Sequence, residues 1–110
     1  MAMIDHDFEA QRDETFGVWR DLSAKNNLPK NAILDLQFVP TSPAADWDLF
    51  EMQLTEAGYR CNRYSDGTTL EAFVGPIDLN ADAIWKHELE TTQLALKCGF
   101  RPDGWGFFSR

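Results

Sequence analysis

The chain is poor in the side chains that most often do chemistry. It has two cysteines and two histidines in 110 residues. Cys61 and Cys98 form no CxxC pair and lie 37 positions apart, so a four-ligand zinc site has too few soft ligands to be read from the sequence. Bases are scarce as well: ten Lys and Arg against eighteen Asp and Glu, for a net charge of −8. Such a chain is repelled by a phosphate backbone, which argues against direct binding of nucleic acid. No apolar run approaches the roughly 18 residues of a membrane span. The first residues carry Asp5, Asp7 and Glu9 where a signal peptide needs bases and then an apolar stretch. These absences predict a reduced, cytoplasmic protein whose two thiols serve as small apolar groups. Repeats, low-complexity runs and Ser/Gly linkers are also missing, so residues 1–110 read as one domain.

What is present is a core. The sequence is 44% hydrophobic, with eight Phe, four Trp and two Tyr. A chain of this size buries roughly two-thirds of the surface that its unfolded form exposes. Phe8, Thr15, Trp19 and Leu22 fall on one stripe and predict a helix over about 5–24, with Glu9, Asp13, Arg20 and Asp21 opposite. Asn26, Asn27 and Pro29 then break the chain. Ala32, Leu34, Leu36 and Phe38 alternate with Asp35 and Gln37, the period of a strand with one polar side, which Pro40 stops. Ser42-Pro43 looks like the start of a second helix carrying Trp47, Phe50, Leu54 and Ala57, closed by Gly58. Strands over about 59–64 and 68–74 flank Ser65-Asp66-Gly67, where a primed hairpin turn is expected, and Gly75-Pro76 should end the second. Asn80 caps a third helix whose buried face is predicted as Ile84, Trp85, Leu89, Thr92, Ala95 and Leu96. Gly99 closes it, and a short aromatic strand, 105–109, ends the chain.

The order is a helix and then β-α-β-β-α-β over about 31–110. That is the split β-α-β, ferredoxin-like pattern of α+β proteins, an antiparallel sheet with an extra N-terminal helix.

Catalytic motifs are not apparent. His87-Glu88 opens like a zinc-protease motif, but Thr91 stands where the second histidine belongs. Both residues are expected on a solvated helix face. Gly99 and Gly104 have the spacing of a phosphate loop, yet Trp105 and Gly106 replace its lysine and hydroxyl. Asp46/Asp48 and Glu88/Glu90 are two apart and point to different sides of a helix, so they read as solvated acids. No catalytic residue, cofactor or metal is expected. The acids are concentrated at the front: residues 1–55 hold ten acids and four bases, residues 56–110 eight and six.

The C-terminal segment is the most unusual. Asp103-Gly104-Trp105-Gly106 reads as a tight turn into a strand on which Phe107 and Phe108 point to opposite sides. The N-terminal helix is expected to cover the second face of the sheet; otherwise that aromatic surface is a contact for a protein partner.

Three stretches resemble the regulator of ribonuclease E activity B (RraB) family. They are Glu9-Ala10-Gln11-Arg12-Asp13-Glu14-Thr15 near the start, Leu79-Asn80-Ala81-Asp82 at the third helix, and Phe100 through Asp103-Gly104-Trp105-Gly106 near the end. The last is the most specific. The order of elements between them also agrees over almost the whole chain. The inhibitor that names the family carries a long acidic tail after this strand, which the present 110 residues do not include. The resemblance implies a ferredoxin-like fold with an added helix, and a non-catalytic regulator that binds the endoribonuclease of the RNA degradosome. The expectation is therefore an acidic protein-binding module whose partner is ribonuclease E or another basic RNA-binding protein, with no direct nucleic acid and no membrane. Its contact surface is expected at Asp7, Glu9, Asp13, Glu14, Asp103, Trp105 and Phe108. A small-ligand or enzymatic domain on the same scaffold is the alternative.

Overall fold

In a computed structural model describing residues 6–109, the chain folds as an α+β domain. The elements are α1 (Phe8–Lys25), β1 (Asn31–Pro40), α2 (Trp47–Glu56), β2 (Arg60–Arg63), β3 (Leu70–Asp78), α3 (Ala81–Lys97) and β4 (Phe100–Phe108). The expected helix start at Asp5 lies outside the described residues. The four strands form one antiparallel sheet in the order β2-β3-β1-β4. The two β-α-β halves interleave, so the two central strands come one from each half. This arrangement is compatible with the ferredoxin-like pattern.

Each helix begins where a short side chain replaces a missing backbone acceptor. Asp7 accepts from the Ala10 N–H at 2.9 Å, Asp46 from Leu49 at 3.0 Å and Asn80 from Ala83 at 2.8 Å. The second of these corrects the expectation at Ser42-Pro43. Ser42 Oγ accepts from the Ala44 N–H in a local turn, and the helix starts only at Trp47, where the Asp46 carboxylate caps it.

Alternation along β1 sorts the sheet into two faces. Leu34, Leu36 and Phe38 point to one side with Leu70 and Ala72 of β3 and Phe100 of β4. Phe50 and Leu54 of α2 and Ile84 and Ala95 of α3 close over them. Phe50 sits between Phe38 and Phe100, with ring centroids 5.2 and 4.8 Å away, and Trp47 meets Phe100 edge-on at 4.9 Å. Burying each such side chain contributes about 1.5–3 kcal/mol.

The strands correct the sequence reading at three places. β3 does not end at Gly75-Pro76 but runs on to Asp78, with a register irregularity opposite Ile33. Gly75 has φ +128°, and a Cβ there would stand 2.9 Å from the Ala32 carbonyl oxygen, so only glycine lets the two backbones pass this closely. In the hairpin Gly67 alone takes a positive φ, +73°, and no non-glycine residue does, which excludes the primed turn. The longer loop, closed by Tyr64 N–H to the Thr69 carbonyl, uses an ordinary turn followed by one left-handed residue. Asp103-Gly104 is not a turn before a short strand. β4 pairs with β1 from Phe100 onward, and Asp103 is the extra residue of a bulge between the Phe38↔Pro102 and Gln37↔Gly104 pairs.

The expected cover for the second sheet face is also corrected. α1 packs against α3, on the side of the sheet that already carries helices, and among the described residues no helix lies on the opposite face. Trp19 of α1 packs there against the core, and polar contacts fix the joint. Thr15 of α1 donates to Glu88 of α3, and the Gln11 amide donates to Glu88 at 3.3 Å and to Thr92 at 3.1 Å. Glu88, expected on a solvated face, is 6% exposed within this joint. The buried face of α3 is accordingly Ile84, Glu88, Thr91, Thr92 and Ala95, with Trp85, Leu89 and Leu96 half-buried at its flanks.

Candidate functional site

The docking of α1 on α3 leaves a cleft of about 450 Å³ between α1, α3 and the bulged start of β4. Gln11, Glu14 and Val18 line it from α1, Glu88 from α3, and Asp103 and Trp105 from β4. The bulge is what aims Asp103 here. One inserted residue displaces it from the strand's alternation, while Trp105, paired with Leu36, leans half-buried against the core. Arg101 lies 3.8 Å from Asp103, and both side chains are exposed, so this pair is loose. At the floor of the cleft, burial pushes the Glu88 carboxyl up, and the bonds from Thr15 and Gln11 oppose that rise.

The expected contact residues divide into three places. Glu14, Asp103 and Trp105 share the cleft. Asp7 is engaged as the α1 cap, while Glu9 and Asp13 are exposed on the same helix. Phe108 lies elsewhere. It is 46% exposed on the helix-free face of the sheet, with its ring 6.1 Å from that of Phe73.

That helix-free face holds a group the sequence reading treated only as the polar side of a strand. Asp35 and Gln37 of β1 lie beside Glu71 and Phe73 of β3, in the pairs Gln37↔Glu71 and Asp35↔Phe73, which makes Asp35 and Glu71 diagonal neighbours. Glu71 is 8% exposed and accepts from the Asn62 amide at 2.9 Å. Asp35 Oδ1 is buried without a hydrogen-bond partner among the described residues. Burial first, and then the neighbouring Glu71 carboxyl, push the Asp35 carboxyl up to about 7, and the Gln37 side chain opposes that rise in part. Alternation gave the face of each acid. Their adjacency depends on register, which no local pattern supplies.

The remaining polar clusters lie elsewhere in the fold. The Tyr59 hydroxyl donates to Glu90 at 2.6 Å and meets His87 Nδ1 at 2.7 Å. Burial lowers the His87 pKa and raises that of Tyr59, which keeps both neutral near pH 7. His87 is thus half-buried against Tyr59, not solvated as expected. Arg63 ties the hairpin to α2 through Asp48 and Glu51, both at 2.7 Å. Cys98 is buried, Cys61 is half-buried, and both are free thiols that burial pushes up. Among the described residues no three His, Cys, Asp or Glu side chains are placed to hold a metal ion, and no helix is long and apolar enough to cross a membrane. In comparisons with known proteins, no family model and no curated protein matches the chain.

Proposed function

We propose that this protein is a non-catalytic regulator on a ferredoxin-like scaffold that acts by binding a basic protein, the role implied by its resemblance to the RraB family. The observation that carries this reading is the cleft in which Glu14 and Asp103 flank Trp105. An Arg or Lys side chain entering it lays its cation near an indole face, with carboxylates available to its charge. The net charge of −8 attracts such a segment from a distance, and the exposed acids Glu9 and Asp13 extend the field along α1. A basic segment that ordinarily binds RNA phosphates cannot hold both partners at once. The protein therefore modulates RNA degradation by competition, with ribonuclease E or another basic RNA-binding protein of the cytoplasm as the partner.

Surface plasmon resonance against the basic RNA-binding segment of ribonuclease E tests this. Association should slow steeply between low and physiological salt, and the double variant Glu14→Gln, Asp103→Asn should slow it further at low salt while the melting curve holds. Trp105→Ala should speed dissociation. Salt-independent binding, or none, removes the ribonuclease reading.

A further inference from the structure

We propose that the helix-free face of the sheet is a second docking surface, built to take an arginine side chain from a partner protein between Asp35 and the backbone of β4. The argument starts from what β4 leaves out. Asp35 is paired across the ladder with Gly106, and Gln37 with Gly104. A Cβ built at either glycine meets nothing within 4 Å, so the space above both is open. Beside two polar side chains of β1 the sheet therefore has a bare strip of peptide backbone. Phe108, stacked edge-on against Phe73, stands at the end of this strip.

The strip has the shape of a flat group and the charge of a cation's site. Asp35 Oδ1 is a buried acceptor with no donor, and Glu71 lies diagonally behind it. Among the described residues no ion pair involves either carboxyl. A guanidinium is planar, lies flat over peptide groups, and presents several N–H donors from one fork, so it can serve two neighbouring carboxylates together. An ammonium is a compact, strongly hydrated point charge and gains less from a flat floor. The exposed ring of Phe108 offers the cation a π face. A second copy of this chain fits poorly, because a face-to-face pair opposes the same acids across the contact. Of the charged and titratable groups on this face among the described residues, Glu71 of β3 lies nearest Asp35, with Tyr64 at the hairpin, Arg60 on β2 and Arg101 on β4, opposite Val39, further out. Docking the guanidinium favours the ionised form of Asp35, whose proton leaves as the arginine enters. This site meets the α1–β4 cleft at Gly104, which lines both, so Gly106 and Phe108 are the residues that report on this face alone.

NMR titration of the whole chain with hexa-arginine tests the proposal, following backbone amides and side-chain carboxyl carbons across pH 5–8. The expected result is movement of the Gly106 and Phe108 amides, with the Asp35 midpoint falling well below about 7. Hexa-lysine should leave that midpoint in place. Asp35→Asn should weaken hexa-arginine binding at this face roughly tenfold or more, the scale of a charged hydrogen bond. Asp21→Asn, which removes the same charge from an exposed position on α1, should weaken it far less. The proposal is overturned if the shifts are confined to Glu14, Asp103, Gly104 and Trp105, if Asp35→Asn binds like the parent, or if sedimentation shows that the face is covered by a second copy.

Discussion

On one face of the sheet Leu34, Leu36 and Phe38 lie under two helices; on the other, Ile33, Asp35 and Gln37, each one residue away on the same strand, lie under none. The strand is equally well paired for both. The difference is in what each face asks of its neighbours. The covered face needs only shape, and aromatic rings and branched side chains supply it from α2 and α3. The uncovered face carries a diagonal pair of carboxyls, and any cover would have to bring donors for an acceptor that has none. A helix with an apolar stripe cannot do that, and α1, whose stripe is broken by Gln11 and Thr15, instead donates to Glu88 on the covered side, where its Trp19 also packs against the core.

The sharpest break between the faces is in stability. Phe50→Ala, which empties a site enclosed by Phe38 and Phe100, should cost roughly 3–5 kcal/mol in denaturant unfolding. Phe108→Ala should cost less than about 1 kcal/mol. Equal losses would mean that the open face is covered in solution. Next is the joint that draws α1 away. Thr15→Val removes the hydroxyl from buried Glu88 and should cost about 1–3 kcal/mol. The loss should be larger at pH 8 than at pH 4, because that hydrogen bond favours the ionised acid.

The smallest effect is a pH dependence. The folded Asp35 carboxyl sits near 7, against 3.8 for an unperturbed one, so between these values the folded chain holds more proton than the unfolded chain. Stability then falls as pH rises through this window, and above it the full cost of ionising the group is present. Asp35→Asn should flatten that slope and gain about 1–2 kcal/mol at pH 8, a figure reduced for partial solvent screening. Glu88 is raised as well and leaves a residual slope of the same sign. Unfolding curves from pH 4 to 8 measure both.

Elements defined by their own neighbours were legible in the sequence; those defined by a distant strand were not. Asn80, the apolar stripe after it and Gly99 marked α3 at both ends, because a cap and its helix are local. Asp103-Gly104 has the composition of a turn, but pairing with Gln37 and Phe38, more than sixty residues earlier, absorbs it as a bulge. Ser42-Pro43 carries a sound starting signal that Asp46 overrides four residues later. The candidate site follows the same rule. Glu14 and Trp105 could be singled out as an acid and an unusual aromatic, yet their shared cleft depends on where α1 docks. Asp35 and Glu71 gave no local sign of each other at all.

The polar joint between α1 and α3 also sets an order of events. Only Thr15 of α1 is fully buried, and its long-range hydrogen bonds run through two side chains, Gln11 and Thr15. The sheet and the two helices over it share one apolar interior. Lifting α1 uncovers the edge of that interior where Trp19 packs, and a partial opening below the free energy of global unfolding is expected. In deuterated solvent its amides exchange ahead of those of β1 and β3. An opening of this kind would widen the cleft on the side that carries Glu14, and faster exchange of the α1 amides is the measurement that would show it.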